Sequence, residues 1–145
     1  MSKVNIVFWS GTGNTEQMAK YIAQGVEKAG QTANVVDVSE IDPKDLAGDK
    51  AFALGCPSMG AEQLEESVME PFVEELEGIV SGKSIALFGS YGWGNCEWMR
   101  DWEERMQNAG AVIVGGEGIT VLGEPDDETK ERCIDIGKTL ASFNV

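Results

Sequence analysis

The residues with the plainest chemistry stand together near the start of the chain, as Ser10-Gly11-Thr12-Gly13-Asn14-Thr15. Four of these six side chains end in a hydroxyl or a carboxamide, the other two positions are glycine, and none is charged. Such a segment can surround an anion with neutral donors, and its glycines let the main chain come close. Val4-Asn5-Ile6-Val7-Phe8-Trp9 precedes it, short, mostly apolar and free of breakers. Behind it Met18, Ala19, Ile22, Ala23 and Val26 recur at helical spacing. The hexapeptide is therefore a strand-to-helix turn, where the positive end of the helix dipole adds to the donors. An ordinary helix cap needs one such residue. Four donors in six positions make it an anion site, and we read it as a phosphate cradle.

The kind of phosphate follows from what the turn lacks. A nucleoside-triphosphate loop closes on Gly-Lys-Ser/Thr, and no lysine occurs here. A dinucleotide fingerprint needs a third glycine where this chain has Glu16. Neutral donors alone suit a monophosphate.

The elements that must position this turn emerge from the rest of the chain. Gly30 closes the first helix, about Asn14 to Ala29. Thr32 to Val38 reads as a second strand, Ile41 to Leu46 as a short link, and Ala51 to Leu54 as a buried third strand ending at Gly55. Pro71 fits the first turn of a helix running to about Leu76. Ser84 to Gly89 is a fourth strand, and Glu97 to Ala109 a helix closed by Gly110. A fifth strand begins at Val112-Ile113-Val114 and resumes over Ile119 to Leu122, after Gly115-Gly116. Asp126 or Asp127 caps a last helix that runs to about Ser142. Strands alternate with helices, and the strands are apolar on both faces. This is an α/β fold, a doubly wound five-stranded parallel sheet with helices on both faces. Ligands of such sheets sit at the C-terminal strand ends, where residues 10–15 meet the loops 56–66 and 90–97.

Those two loops specify the ligand further. Cys56-Pro57-Ser58-Met59-Gly60-Ala61-Glu62 offers an apolar Met, a permissive Gly and a carboxylate. Ser90-Tyr91-Gly92-Trp93-Gly94 holds a Trp between glycines, free to lie flat on a ring. Met59 and Trp93 would sandwich a flat heterocycle, Glu62 would accept from a ring N–H, and amides near Gly92 would donate to a ring carbonyl. Met59 as core filler and Glu62 as part of a solvated face with Glu65 and Glu66 are the plainer alternatives. Trp98 and Trp102, at i, i+4, read as packing residues, and Trp9 as core or as a neighbour of the ligand's edge.

Composition sets the outer limits. The chain has 145 residues, enough for one domain with a proper core spanning 1–145. Its 25 acids against 11 bases give a net charge of −14, which excludes nucleic acid and anionic membranes as partners and suits a basic-faced protein. Cys56, Cys96 and Cys133 are scattered and histidine is absent, so zinc and iron–sulfur sites lack a ligand set. The cysteine pattern fits a reduced compartment. With no signal peptide and no apolar run of membrane length, the expected location is cytoplasmic.

SGTGNT, GCPSMGAE and GSYGWG, in this order and at these strand ends, resemble the short-chain flavodoxins. The likeness covers essentially the whole chain, without the long insertion in the fifth strand that marks the long-chain class. It implies strand order 2-1-3-4-5 and FMN as the ligand, its phosphate in residues 10–15. Met59, Gly60, Ala61 and Glu62 would meet the inner face and pyrimidine edge of the flavin, and Trp93 its outer face, with Ser90, Tyr91, Gly92 and Gly94 shaping that loop. Pro57 stands beside Ser58 where some relatives supply a hydroxyl, so that position gives no phosphate contact.

The implied function is low-potential one-electron transfer between redox proteins such as reductases and oxidoreductases. The cofactor would shuttle between semiquinone and hydroquinone, in a monomeric protein with no catalytic residue of its own. The Gly60 carbonyl is expected to accept the flavin N5–H once reduction creates it. An FMN-dependent reductase of small molecules would need an open flavin face, which Trp93 would cover. A signalling receiver would need an acceptor Asp where this chain has Gly55-Cys56, and an acidic pair where it has Trp9-Ser10.

Overall fold

In a computed structural model of the chain, residues 3–11, 13–60 and 62–143 are described; Thr12 and Ala61 lie outside them. Strand β1 (Lys3–Phe8) leads into helix α1 (Asn14–Lys28), followed by β2 (Thr32–Asp37) and two short 3-10 turns. Then come β3 (Ala51–Gly55), α2 (Met69–Leu76), β4 (Ser84–Tyr91), α3 (Glu97–Asn108), β5 (Val112–Ile113), β6 (Ile119–Leu122) and α4 (Asp127–Ser142). All pairings between these strands are parallel, in the order β2-β1-β3-β4-β5, with β6 also on β4. The order 2-1-3-4-5 therefore holds.

The fifth strand is split in two. β5 pairs with Ser84 and Ile85 at the base of β4, and β6 with Phe88 to Tyr91 at its top. Between them Gly115 and Gly116 take φ of 81° and 85°, left-handed values at which the strand cannot continue.

Alternation along the strands builds two cores. Val7, Phe52, Leu54, Ile85 and Leu87 turn to the α2/α3 side, where Trp98, Met99 and Trp102 meet them. Val4, Ile6, Ala53, Ala86 and Phe88 turn to the α1/α4 side, against Met18, Ile22, Ile136 and Leu140. On that side the helices touch backbone to backbone. A Cβ on Gly25 would lie 1.9 Å from the Ile134 carbonyl oxygen, and one on Gly137 2.0 Å from that of Ile22.

Helix ends are fixed by side chains near in sequence. Asp126 caps α4 by accepting from the Thr129 amide at 2.8 Å. Ahead of α2 the buried Glu65 carboxylate accepts from the amides of Ser67, Val68 and Met69 at 2.7, 2.8 and 3.0 Å. The acidic run 62–66 is thus no uniform solvated face: Glu65 is a plug in a helix start, and Glu66, which accepts from Gln63, is exposed.

Candidate cofactor site

The C-terminal ends of β1, β3 and β4 open into one cleft of about 310 Å³, within the usual range of small-molecule sites. Trp9, Gly11 and Asn14 form the wall after β1. Pro57, Ser58 and Met59 form the wall after β3. Ser90, Tyr91 and Gly92 close the far side, joined by Gly123 from the end of β6. None of these lining residues is charged, in a chain of net charge −14.

The phosphate turn is held open by its own first residue. Ser10 Oγ accepts from the amides of Gly13 and Glu16 at 3.1 and 3.3 Å. The oxygen thus shapes the turn, and the hydroxyl proton stays free to donate. Gly13, at φ 98°, makes the left-handed entry into α1. The α1 start, with Asn14 lining the cleft, turns the positive end of its helix dipole toward it.

Thr15 is fully inside and reaches across the site. Its Oγ1 lies 3.1 Å from Ser90 Oγ and accepts from the Ser90 amide at 3.3 Å. A hydroxyl oxygen has two lone pairs, so it can take both Ser90 N–H and Ser90 Oγ–H. Its own proton is then free for an anion in the turn. The pair links the start of α1 to the upper end of β4.

The loop after β3 is a tight hairpin. Met59 and Gln63 exchange backbone hydrogen bonds of 2.8 and 2.9 Å across the three residues 60–62. Gly60 (φ 49°) and Glu62 (φ 55°) are both left-handed. For Gly60 this carries no steric cost, whereas for Glu62 it is strain that the sequence did not announce. The Glu62 carboxylate accepts from the Glu97 amide at 2.9 Å, at the start of α3.

Trp98, read from its spacing as a packing residue, is buried and also serves the site. Its indole N–H donates to the Cys56 carbonyl at 3.0 Å, and its ring lies 5.8 Å from that of Tyr91. It thereby fixes the roots of both side loops. Gly89 allows this, because a Cβ there would sit 2.2 Å from the Cys56 oxygen. Burial pushes the Cys56 and Cys133 thiols up to about 12, so neither is a nucleophile at neutral pH. The Tyr91 phenol is also raised, first by its hydrogen bond to Cys96.

The cleft thus brings together Gly11, Asn14, Pro57, Ser58, Met59, Ser90, Tyr91 and Gly92 of the residues expected from sequence. Ser10, Gly13 and Thr15 shape it from behind. Gly60, Glu62 and Gly94 stand beside it, and Trp93 projects with 63% of its surface exposed. Gly123 was not foreseen. Its amide donates to the Tyr91 carbonyl at 2.9 Å, and the glycine that ends the last strand was the available signal.

These residues fit FMN: an uncharged cleft for a flat ring, opening onto neutral donors and a helix start for one phosphate. A family model described as Flavodoxin matches residues 6–137. The flavodoxin of Clostridium beijerinckii is 49% identical over 140 residues, covering 97% of this chain and all of that one. That of Megasphaera elsdenii is 43% identical over 138 residues, covering 95% of this chain and 98% of that one. A solution structure of two-electron reduced Megasphaera elsdenii flavodoxin matches with a TM-score of 0.87 at 42% identity, over 96% of this chain and 98% of that one. The fold, the cleft and these likenesses together place the chain in the flavodoxin family of FMN-binding electron carriers.

Proposed function

We propose that residues 1–145 work as a single domain, a cytoplasmic monomer that carries one electron at a time at low potential between larger redox proteins. The FMN supplies the redox chemistry; the chain binds it, orients it and sets its surroundings. The carrying observation is the uncharged cleft at three strand ends of a strongly acidic chain. Ser10, Thr12, Asn14 and Thr15 offer side-chain donors to the phosphate, Gly11 and Gly13 let the main chain come close to it, and the Ser10 oxygen also shapes that turn. Met59, with Pro57 and Ser58 beside it, lines the inner face of the ring. Trp93 covers the outer face in a loop shaped by Ser90, Tyr91, Gly92 and Gly94. Glu62 accepts from a ring N–H, and the Gly60–Ala61 peptide presents the Gly60 carbonyl to N5.

Exposed acids around the cleft favour partners with a basic face and disfavour nucleic acid. Among the described residues no helix is long and apolar enough to cross a membrane. Purified protein reconstituted with FMN tests the reading. Flavin absorbance that passes through a stable one-electron-reduced form during stepwise reduction supports it. Failure to take up FMN, or direct two-electron bleaching with steady turnover of a nicotinamide cofactor, refutes it.

A further inference from the structure

Sulfur is spread unevenly between the cores and the cleft. Met18, Met69, Met99 and Met106 are buried, with at most 2% of their surface exposed. Cys56 and Cys133 are buried too. Met59 differs, being partly exposed and standing in the cleft wall after β3. Cys96 is also partly exposed, but it precedes α3, and Met59 is the one side-chain sulfur among the described residues that line the cleft.

The main chain around Met59 is held on both sides. Met59 and Gln63 exchange backbone bonds of 2.8 and 2.9 Å, and the Ser58 amide donates to the Ser90 carbonyl at 3.0 Å. The side chain can change rotamer, but its root stays in the wall.

From this placement we propose that Met59 is a site of reversible oxidation that controls cofactor loading: hydrogen peroxide converts its thioether to the sulfoxide in the unloaded chain, and the sulfoxide keeps FMN out. A sulfur lone pair attacks one peroxide oxygen, an S–O bond forms as the O–O bond breaks, and the other oxygen leaves as water with both protons. Sulfur gives up two electrons and the peroxide takes them. The product is polar where the thioether was apolar. None of the described residues lining the cleft is charged, and a sulfoxide oxygen pressed under a flat ring gives up its water without gaining a donor. In the loaded chain the ring lies over Met59 and shields it. Peroxide thus retires empty chains and spares loaded ones, and a methionine sulfoxide reductase returns the retired chains to use. This rests on the FMN-carrier reading above.

Peroxide treatment of the full chain, with and without FMN, followed by peptide mass mapping, tests the site. In the ligand-free chain Met59 should gain an oxygen before Met18, Met69, Met99 or Met106 does, and saturating FMN should protect it. The treated chain should bind FMN roughly ten- to a hundredfold more weakly. Dithiothreitol alone, which reverses a sulfenic acid or disulfide at Cys96, should not restore affinity, whereas methionine sulfoxide reductase should. Met59→Leu, measured before and after peroxide, should show no loss on treatment. Met59 oxidised no faster than the buried methionines, or oxidised with no loss of affinity, overturns the proposal. Recovery with dithiothreitol alone, or an equal loss in Met59→Leu, also overturns it, and oxidation that FMN does not slow overturns the shielding. An untreated chain that takes up no FMN overturns the function reading and with it the effect on loading, while the peroxide map still decides whether Met59 is the site.

Discussion

Thr15→Val removes one hydroxyl from the middle of the site and keeps the branched side chain. The Thr15 oxygen serves Ser90 twice, at 3.1 Å from its Oγ and 3.3 Å from its amide nitrogen, and both residues are buried. The Ser90 hydroxyl can rotate to another acceptor, but its amide cannot. A buried donor left without a partner costs about 1–3 kcal/mol. At roughly 2.1 cal/mol/K per residue, the 145 residues give an unfolding entropy of about 0.3 kcal/mol/K. A loss of about 2 kcal/mol then lowers the Tm of the ligand-free protein by about 7 °C.

Binding should suffer in two parts. Ser90 lies near the end of β4, just ahead of the loop that faces the ring, so riboflavin affinity falls. FMN affinity falls further, by roughly ten- to a hundredfold relative to riboflavin, because the proton offered to a charged phosphate is gone. Thermal unfolding by circular dichroism and fluorescence titration with the two ligands give the three numbers, with Thr15→Ser as the variant that retains the hydroxyl. If Tm and riboflavin affinity stay at wild-type values while FMN affinity drops, Thr15 serves the phosphate alone and the link through Ser90 is refuted.

Three further outcomes are expected. Gly60→Ala meets no atom within 4 Å, so it adds only left-handed strain of about 1–2 kcal/mol. It should lower the first reduction potential by roughly 40–85 mV at about 59 mV per 1.4 kcal/mol, and move the second less; an unmoved first potential removes Gly60 from the redox switch. Singly neutralising Glu66, Glu97 or Asp101 should raise the second potential by roughly 20 mV or less, on the basis of about 0.4 kcal/mol at 10 Å in water. That shift should shrink with added salt, and Glu65→Gln should depart from the series because three amides already compensate its charge; potentials indifferent to charge and salt count against this account. Burial alone would raise the Glu65 pKa, but the amides of Met69, Val68 and Ser67 outweigh it and hold the pKa below the usual carboxylate value. Its folded pKa is therefore the lower one, so its stabilisation is present above the unfolded value of about 4.3 and is lost as pH falls through the folded value; urea unfolding from pH 6 to pH 3 should show a wild-type decline that is shallower in Glu65→Gln.

What the sequence discloses is local. The change from an apolar run to helical spacing across residues 4–26 places β1, the phosphate turn and α1. Asp126 was legible as a cap because its acceptor and the Thr129 amide are three residues apart. Glu65 stands just as close to its amides, but reading the helix from Pro71 hid a cap that lies before Met69. The Thr15–Ser90 pair spans 75 residues and the Glu62–Glu97 bond 35, separations with no local pattern. Gly25 and Gly137 look like weak helix residues until α4 is laid against α1. Only the sheet order brings these groups together.

The split fifth strand carries a consequence for life at high concentration. An intact strand at that edge would present an unbroken ladder of free N–H and C=O groups to any other chain. Here the ladder is cut at Gly115-Gly116, leaving one piece of two residues and one of four. Neither is long enough to recruit a foreign strand in register, although Val112 and Leu122 are exposed and apolar. This edge of the sheet is thereby guarded against edge-to-edge pairing, the opposite edge being the six-residue β2. Substituting Gly115 and Gly116 with β-branched residues would put that guard at risk before it touched the cofactor.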